Sequence, residues 1–212
     1  VCRCCRRNRN PVAFEPPFRH SRGMVIEVRP ATEFAEVKTM VGHKRADANV
    51  CWCLSYRIPH SENRELVGTA RGDRVRALIA EGAPGALAYD GVNVVGRAAV
   101  HPRADTSFAK SRKIPHVGPE DVWSVWCIRV RPGHRGQGIS HALLAGAVEF
   151  ARASGARAIE GYPVDNQGKK VDLTMAYVGT QSLFTQAGFH KVADTDSVLN
   201  GFPRVLMQMK LD

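Results

Sequence analysis

The ten residues Arg131-Pro-Gly-His-Arg-Gly-Gln-Gly-Ile-Ser140 constrain the chain more than any other segment, because they join its best strand to its best helix through three glycines. Before them, residues 121–131 (DVWSVWCIRVR) are apolar on both faces, the pattern of a strand near the middle of a sheet, and Pro132 ends the run. After them, Ile139, Leu143, Leu144, Ala147, Val148 and Ala151 recur every three to four positions, which predicts an amphipathic helix closed by Gly155. Gly133, Gly136 and Gly138 let the connecting backbone turn tightly with its amide hydrogens exposed, and the helix adds its positive N-terminal end. Arg131, His134 and Arg135 add charge around this turn, so its natural guest is a diphosphate. The turn carries no Gly-Lys-Ser/Thr, which excludes a nucleoside triphosphatase loop. A dinucleotide fingerprint starting at Gly136 would need a glycine where His141 stands.

The remaining pattern surrounds this turn with a sheet. Residues 25–29 (VIEVR) alternate apolar and charged side chains as a half-buried strand does. Thr32 is expected to cap a short helix carrying Phe34, Val37 and Val41 up to Gly42. An aromatic segment, 51–59 (CWCLSYRIP), leads into a polar helical stretch from Ser61 that Gly72 interrupts. Asp73 then caps a second piece, with Val75, Leu78 and Ile79 inward and Gly82 at its end. Residues 86–89 and 92–101 flank Asp90-Gly91, a hairpin signal. The polar, proline-bearing residues 102–120 read as a long surface loop. A strand over 156–164, a helix over 174–187 ended by Gly188, and strands near 190–194 and 204–211 complete the order. This order predicts an α+β fold, with a mixed, mostly antiparallel twisted sheet flanked by helices.

A net charge of +10 points to an anionic partner, and its distribution narrows the choice. Residues 1–23 hold six arginines against Glu15 alone, half of the whole excess. This arm, with Pro11, Pro16 and Pro17, is expected to be a basic, unstructured extension ahead of a single domain over 24–212, with Met24 as a genuine or alternative start. Nucleic acid is therefore disfavoured as a partner. No apolar run approaches the roughly 18 residues of a membrane span, and no export signal is visible, so no membrane partner is expected and a cytoplasmic location is. Cys2, Cys4, Cys5, Cys51, Cys53 and Cys127 lack the spacing of a zinc site, so no metal is expected. Cys51, Cys53 and Cys127 read as reduced, half-buried thiols, and the histidines show no ligand spacing.

The sequence resembles the GCN5-related N-acetyltransferase family. The family's hydrophobic strand followed by (Gln/Arg)-x-x-Gly-x-(Gly/Ala) at a helix start is matched by Ile128-Arg-Val130 and by Gly133-His-Arg-Gly136-Gln-Gly138-Ile139. Gly133 departs from the usual first residue of that motif. The resemblance runs from about Val25 to Leu211, and Leu183-Phe-Thr-Gln-Ala-Gly-Phe189 is similar to a later family landmark, Leu-Tyr-x-x-x-Gly-Phe. The chain also looks like a bacterial subgroup with a Cys-x-Cys aromatic segment, here 51–56, and a Glu-Gly-Tyr-Pro strand, here 160–163. The resemblance implies acetyl-CoA as co-substrate, bound where the strands over 122–131 and 156–164 splay. It implies backbone contacts from Ile128 and Val130 to the pantetheine arm. The amides of Arg135, Gly136, Gln137, Gly138, Ile139 and Ser140 would hold the diphosphate. The implied activity is transfer of the acetyl group to an amine, either a small molecule or a protein lysine.

An amine of lysine-like pKa is only about 0.04% neutral at pH 7, so a base would help. Glu160, on the neighbouring strand, is the preferred base. The family tyrosine that protonates the departing thiolate falls at Phe184, which has no hydroxyl. Tyr177 is the substitute candidate, although on one helix seven residues separate it by about 10 Å from Phe184. Strand alternation places Trp126 on the face of Ile128 and Val130 and Trp123 on the other. The competing readings are a catalytically degenerate CoA-binding regulatory module, motivated by Phe184, and a basic nucleic-acid binder using the arm. The oligomeric state is open, a dimer included.

Overall fold

The computed structural model describes residues 18–19, 25–44, 50–172, 176–199 and 201–211. Met24, the cysteines at 2, 4 and 5 and the rest of the basic arm lie outside the described residues, apart from strand β1 (Phe18–Arg19), which pairs antiparallel with β2 (Val25–Pro30). The chain continues through α1 (Phe34–Val41), α2 (His60–Glu65), α3 (Thr69–Glu81) and the hairpin of β3 (Gly85–Asp90) and β4 (Asn93–Pro102). Then come β5 (Val122–Val130), α4 (Ile139–Ala153), β6 (Ala158–Gly161), α5 (Gln181–Gln186) and a second hairpin of β7 (His190–Leu199) and β8 (Phe202–Lys210). Among the described residues one sheet contains eight strands in the order β1-β2-β3-β4-β5-β6-β8-β7, antiparallel except for the β5–β6 pair. This is the α+β architecture expected from the sequence. Among the described residues no helix is long and apolar enough to cross a membrane.

Alternation along the strands gives the sheet two apolar faces. Helix α4 buries Ile139, Leu143, Leu144, Ala147 and Ala151 on one face, against Ile26, Val95, Ala98 and Ile159. Each of these fully buried leucines contributes about 1.5–3 kcal/mol. The other face takes Val37 and Val41 of α1, Val75 and Leu78 of α3, and Trp52 and Leu54 of the aromatic segment.

Three local expectations are corrected. Gly72 does not interrupt a helix: α3 runs through it, and the missing side chain admits Trp52, whose Cζ2 would stand 3.0 Å from a Cβ there. Helix α1 begins at Phe34 with Glu33 in the cap position and no side-chain cap bond, so Thr32 is not its cap. The helix expected over 174–187 is broken. A single turn at Ala176–Val178 is followed by Gly179, and α5 starts afresh at the side chain of Thr180, which accepts from the Leu183 amide at 3.3 Å. Tyr177 and Phe184 therefore share no helix, and helical rise does not set their separation.

Two irregularities shape β5. Its parallel pairing with β6 ends at Val125↔Gly161, while β5 runs on to Val130 paired only with β4. In the β4 register Ala99 opposes Cys127 and Val100 opposes Val125, which leaves Trp126 as the extra residue of a β-bulge. The bulge reverses the expected tryptophan faces. Trp123 shares the core of Ile128, whereas Trp126 and Cys127 both face the core that holds Phe108 and Tyr162.

Candidate active site

Three positive-φ glycines build the turn between β5 and α4: Gly133 at 90°, Gly136 at 72° and Gly138 at 74°. An L side chain is strained in this region, so the sequence places glycine there. The His134 amide donates to the Arg131 carbonyl at 3.1 Å, and Gln137 Nε2 clips the loop by donating to the Gly133 carbonyl at 3.3 Å. The Gly138 carbonyl accepts from the amides of His141 and Ala142 at 3.0 and 3.1 Å. Among the described residues the amides of Arg135, Gly136, Gln137, Gly138, Ile139 and Ser140 have no backbone acceptor, so six successive donors stand at a helix N-terminus. A Cβ on Gly136 would meet nothing within 4 Å; the space beside it is open. Arg135 is exposed at the same edge. These residues fit a diphosphate.

The splay of β5 from β6 opens beside this turn. Ile128 is buried against α4 and Val130 is half-buried, and both lie on the part of β5 that β6 no longer pairs. Near the bulge lies a cavity of about 230 Å3, with Trp126, Cys127 and Arg129 of β5 on one side. Cys53 and Tyr56 of the aromatic segment, together with Tyr177, close the other side. The hydroxyls of Tyr56 and Tyr177 are 3.3 Å apart, and Tyr56 stacks on Phe108 with ring centroids 4.5 Å apart. Burial, then the contact with Tyr56, pushes the Tyr177 phenol above its ordinary range, so it stays protonated at neutral pH.

Glu160 is elsewhere. It is fully buried on β6 and does not line the cavity. Its carboxylate accepts from the Tyr162 hydroxyl at 2.5 Å, Ser124 Oγ at 3.2 Å, Arg103 Nη1 at 3.3 Å and Gln208 Nε2 at 3.5 Å. Burial and this neighbouring carboxylate push the Tyr162 phenol upward. Phe184 is also buried, with its ring against bare β6 backbone: a Cβ on Gly161 would stand 2.2 Å from its Cε1.

The structure places Tyr177 in the wall of one cavity with Trp126, Cys127 and Arg129 of β5, and adds to that wall a pair of groups that the sequence did not single out. Cys53 and Cys127, 74 residues apart, place their sulfurs 3.6 Å from each other, both buried rather than half-buried, while Cys51 is exposed. The available signal was Arg97, a charge inside the otherwise apolar strand 94–100 (VVGRAAV). Among the described residues no group of three or more His, Cys, Asp or Glu could hold a metal ion.

Comparison with known proteins agrees with this geometry. No curated protein sequence matches the chain. Among solved structures, the YncA protein of Salmonella typhimurium, determined with its cofactor acetyl-CoA, aligns at 17% identity over 88% of this chain and 94% of its own, TM-score 0.51. A GCN5-related N-acetyltransferase from Kribbella flavida aligns at 19% identity over 88% and 98%, TM-score 0.52. The PaiA N-acetyltransferase of Thermoplasma acidophilum, in complex with coenzyme A, aligns at 16% over 88% and 99%, TM-score 0.51. These are likenesses of fold. The family model for acetyltransferases of the GNAT type matches residues 27–169, more than half of the sequence. With the glycine turn, the splayed strands and this match in agreement, the chain belongs to the GNAT acetyltransferase family.

Proposed function

We propose that this acetyltransferase takes its acetyl group from acetyl-CoA, holds the donor's diphosphate on the amides of residues 135–140, and passes the group to an amine that enters the aromatic cavity uncharged. The observation that carries this reading is the row of six unused amides at the head of α4, beside a β5 edge that β6 leaves open. Acetyl-CoA supplies the acyl group as a thioester. The exposed edge near Ile128 and Val130 supports contacts to the pantetheine arm, as the acetyl-CoA and coenzyme A complexes of the structural relatives do.

The acceptor preference follows from the walls. The cavity has no carboxylate in its lining, and Arg129 is its one cationic side chain. A protonated amine would be both desolvated and repelled there. A peptide α-amine of pKa near 8 is roughly 10% neutral at pH 7, some hundreds of times more than a lysine-like amine, so peptide α-amines suit the site better than polyamines. Thiol release from acetyl-CoA, measured over a panel of peptide α-amines, lysine peptides, polyamines and aminoglycosides, is expected to be fastest for the first class. Acetyl-CoA binding with no release across the whole panel would instead favour a regulatory CoA-binding module.

Within this reading Tyr177 protonates the departing thiolate. Tyr177→Phe is expected to lower kcat about tenfold at pH 7, with the deficit shrinking above about pH 8.5, where a thiolate leaves unaided. An unchanged rate at pH 6 to 7 would remove Tyr177 from the mechanism. Glu160 acts as an anchor: it ties β5, through Ser124, to Arg103 and to Gln208 of β8, one residue before the β5–β6 pairing ends. A cytoplasmic location suits the three free thiols among the described residues, two of them 3.6 Å apart.

A further inference from the structure

We propose that Cys53 and Cys127 form a site of oxidative modification: peroxide joins them in a reversible disulfide across the acceptor cavity and shuts off transfer to the amine. The shut-off rests on the acetyl-CoA reading above; the bond itself does not. The two sulfurs come from the aromatic segment and from β5, 74 residues apart in the chain, yet stand 3.6 Å from each other. Both are free thiols in the wall of the same cavity of about 230 Å3. The exposed Cys51, Ser55 and Arg129 line that cavity too, so it opens to solvent and admits a molecule as small as hydrogen peroxide. Cys53 and Cys127 are each only 6% exposed, which favours so small an oxidant over a bulky disulfide reagent.

Buried cysteines side by side also serve as small apolar fillers, but two features go beyond packing. Cys53 holds φ at 57°, in the left-handed region, where an L side chain is strained and cysteine lacks the local hydrogen bonding that lets asparagine or aspartate tolerate it. The pair also divides its protons unequally. Contact with Cys127, helped by the charge of the buried Arg97, outweighs burial and draws the Cys53 thiol below its ordinary range. The same contact and burial push Cys127 upward, so Cys53 is the thiolate that reacts first and Cys127 the thiol that resolves. Closing the gap to a sulfur–sulfur bond of about 2.05 Å takes roughly 1.5 Å of movement. The aromatic segment supplies it: the amides of Leu54, Arg57 and Ile58 donate within the segment, while Cys127 is fixed in the β4–β5 ladder. Tyr56 travels with Cys53, so the movement narrows the cavity that Tyr56 and Tyr177 close. The turn at 135–140 lies beyond the end of β5 and keeps its free amides.

The oxidant is hydrogen peroxide. The Cys53 thiolate attacks one peroxide oxygen, the oxygen–oxygen bond breaks, and the departing hydroxide takes the proton that Cys53 gave up, leaving water and a sulfenic acid on Cys53. The Cys127 sulfur then attacks the Cys53 sulfur, the sulfur–oxygen bond breaks, and the second hydroxide leaves with the Cys127 proton as water. Two thiols lose two electrons, and one peroxide is reduced to two waters. A small thiol reverses the bond by exchange, as befits a transient disulfide in a reducing compartment.

The test treats full-length protein with hydrogen peroxide, digests it without reduction and maps the linked peptides by mass spectrometry. Thiol release from acetyl-CoA over the amine panel, and acetyl-CoA binding by calorimetry, are measured on the same samples. A Cys53–Cys127 peptide pair that dithiothreitol separates is expected. Turnover with the best acceptor should fall about tenfold or more and recover with dithiothreitol. Acetyl-CoA affinity should stay within about threefold. In Cys127→Ala, with folding checked by its melting curve, dimedone should mark Cys53 as the trapped sulfenic acid. No Cys53–Cys127 link, a link through Cys51 in its place, or a link that leaves turnover unchanged would overturn the proposal. Reduced protein that binds no acetyl-CoA, or turns over no amine, would overturn the acetyl-transfer reading and the shut-off with it, whereas the peptide map alone decides the bond.

Discussion

Gly136→Asp is expected to weaken acetyl-CoA binding more than about a hundredfold, some 3 kcal/mol, while the fold survives. At φ 72° any L residue is strained by about 1–2 kcal/mol, though aspartate and asparagine tolerate the region better than most. The new Cβ meets no protein atom within 4 Å, so nothing in the core is disturbed. The carboxylate, however, stands among the six free amides, competes for them and repels a diphosphate. Gly136→Asn carries the same shape and backbone strain without the charge, and should retain binding within about tenfold of the wild type. Titration calorimetry of both variants, with melting curves to check folding, separates electrostatic from steric loss. Equal weakening in the two would show that charge is not what the turn recognises.

Glu160→Ala is expected to be the most destabilising single change near the site, by about 3–5 kcal/mol, because it strands the Arg103 guanidinium in a buried position. Tyr162, Ser124 and Gln208 lose an acceptor at the same time. For a chain of this size the melting temperature should fall by roughly 10 °C or more. Glu160→Gln keeps the shape and part of the hydrogen bonding, and should lose about 1–3 kcal/mol. Were the carboxylate a general base, the glutamine variant would instead melt normally and lose turnover selectively, so the pair of measurements separates the two roles.

The fold was legible where periodicity was clean. The 3.6-residue recurrence of 139–151, the Asp90-Gly91 hairpin and the double-sided apolar run of 122–130 each appear within two or three residues of their expected bounds. The phosphate-type turn was legible for a chemical reason: three glycines in seven residues have no use in a strand or a helix. What alternation missed was the bulge at Trp126, a single inserted residue with no sequence signature of its own, and it moved both tryptophans to unexpected faces. The helix over 174–187 failed because Gly179 and Thr180 supply a stop and a cap that outweigh the apolar spacing. Glu160 was found as a notable carboxylate, but three of its four donors, Ser124, Gln208 and Arg103, come from 36 to 57 residues away in sequence, which no local pattern contains. The Cys53–Cys127 contact was hidden for the same reason.

The central claim is that acetyl-CoA sits on the turn at 135–140 and gives its acetyl group to an amine in the neighbouring cavity. Acetyl-CoA-dependent thiol release, measured for the wild type and Gly136→Asp side by side over the amine panel, tests it most directly. Release that is fastest with α-amine acceptors and is lost in the variant is the predicted result. Release that persists in Gly136→Asp at the same acetyl-CoA concentration would contradict the placement of the donor on this turn.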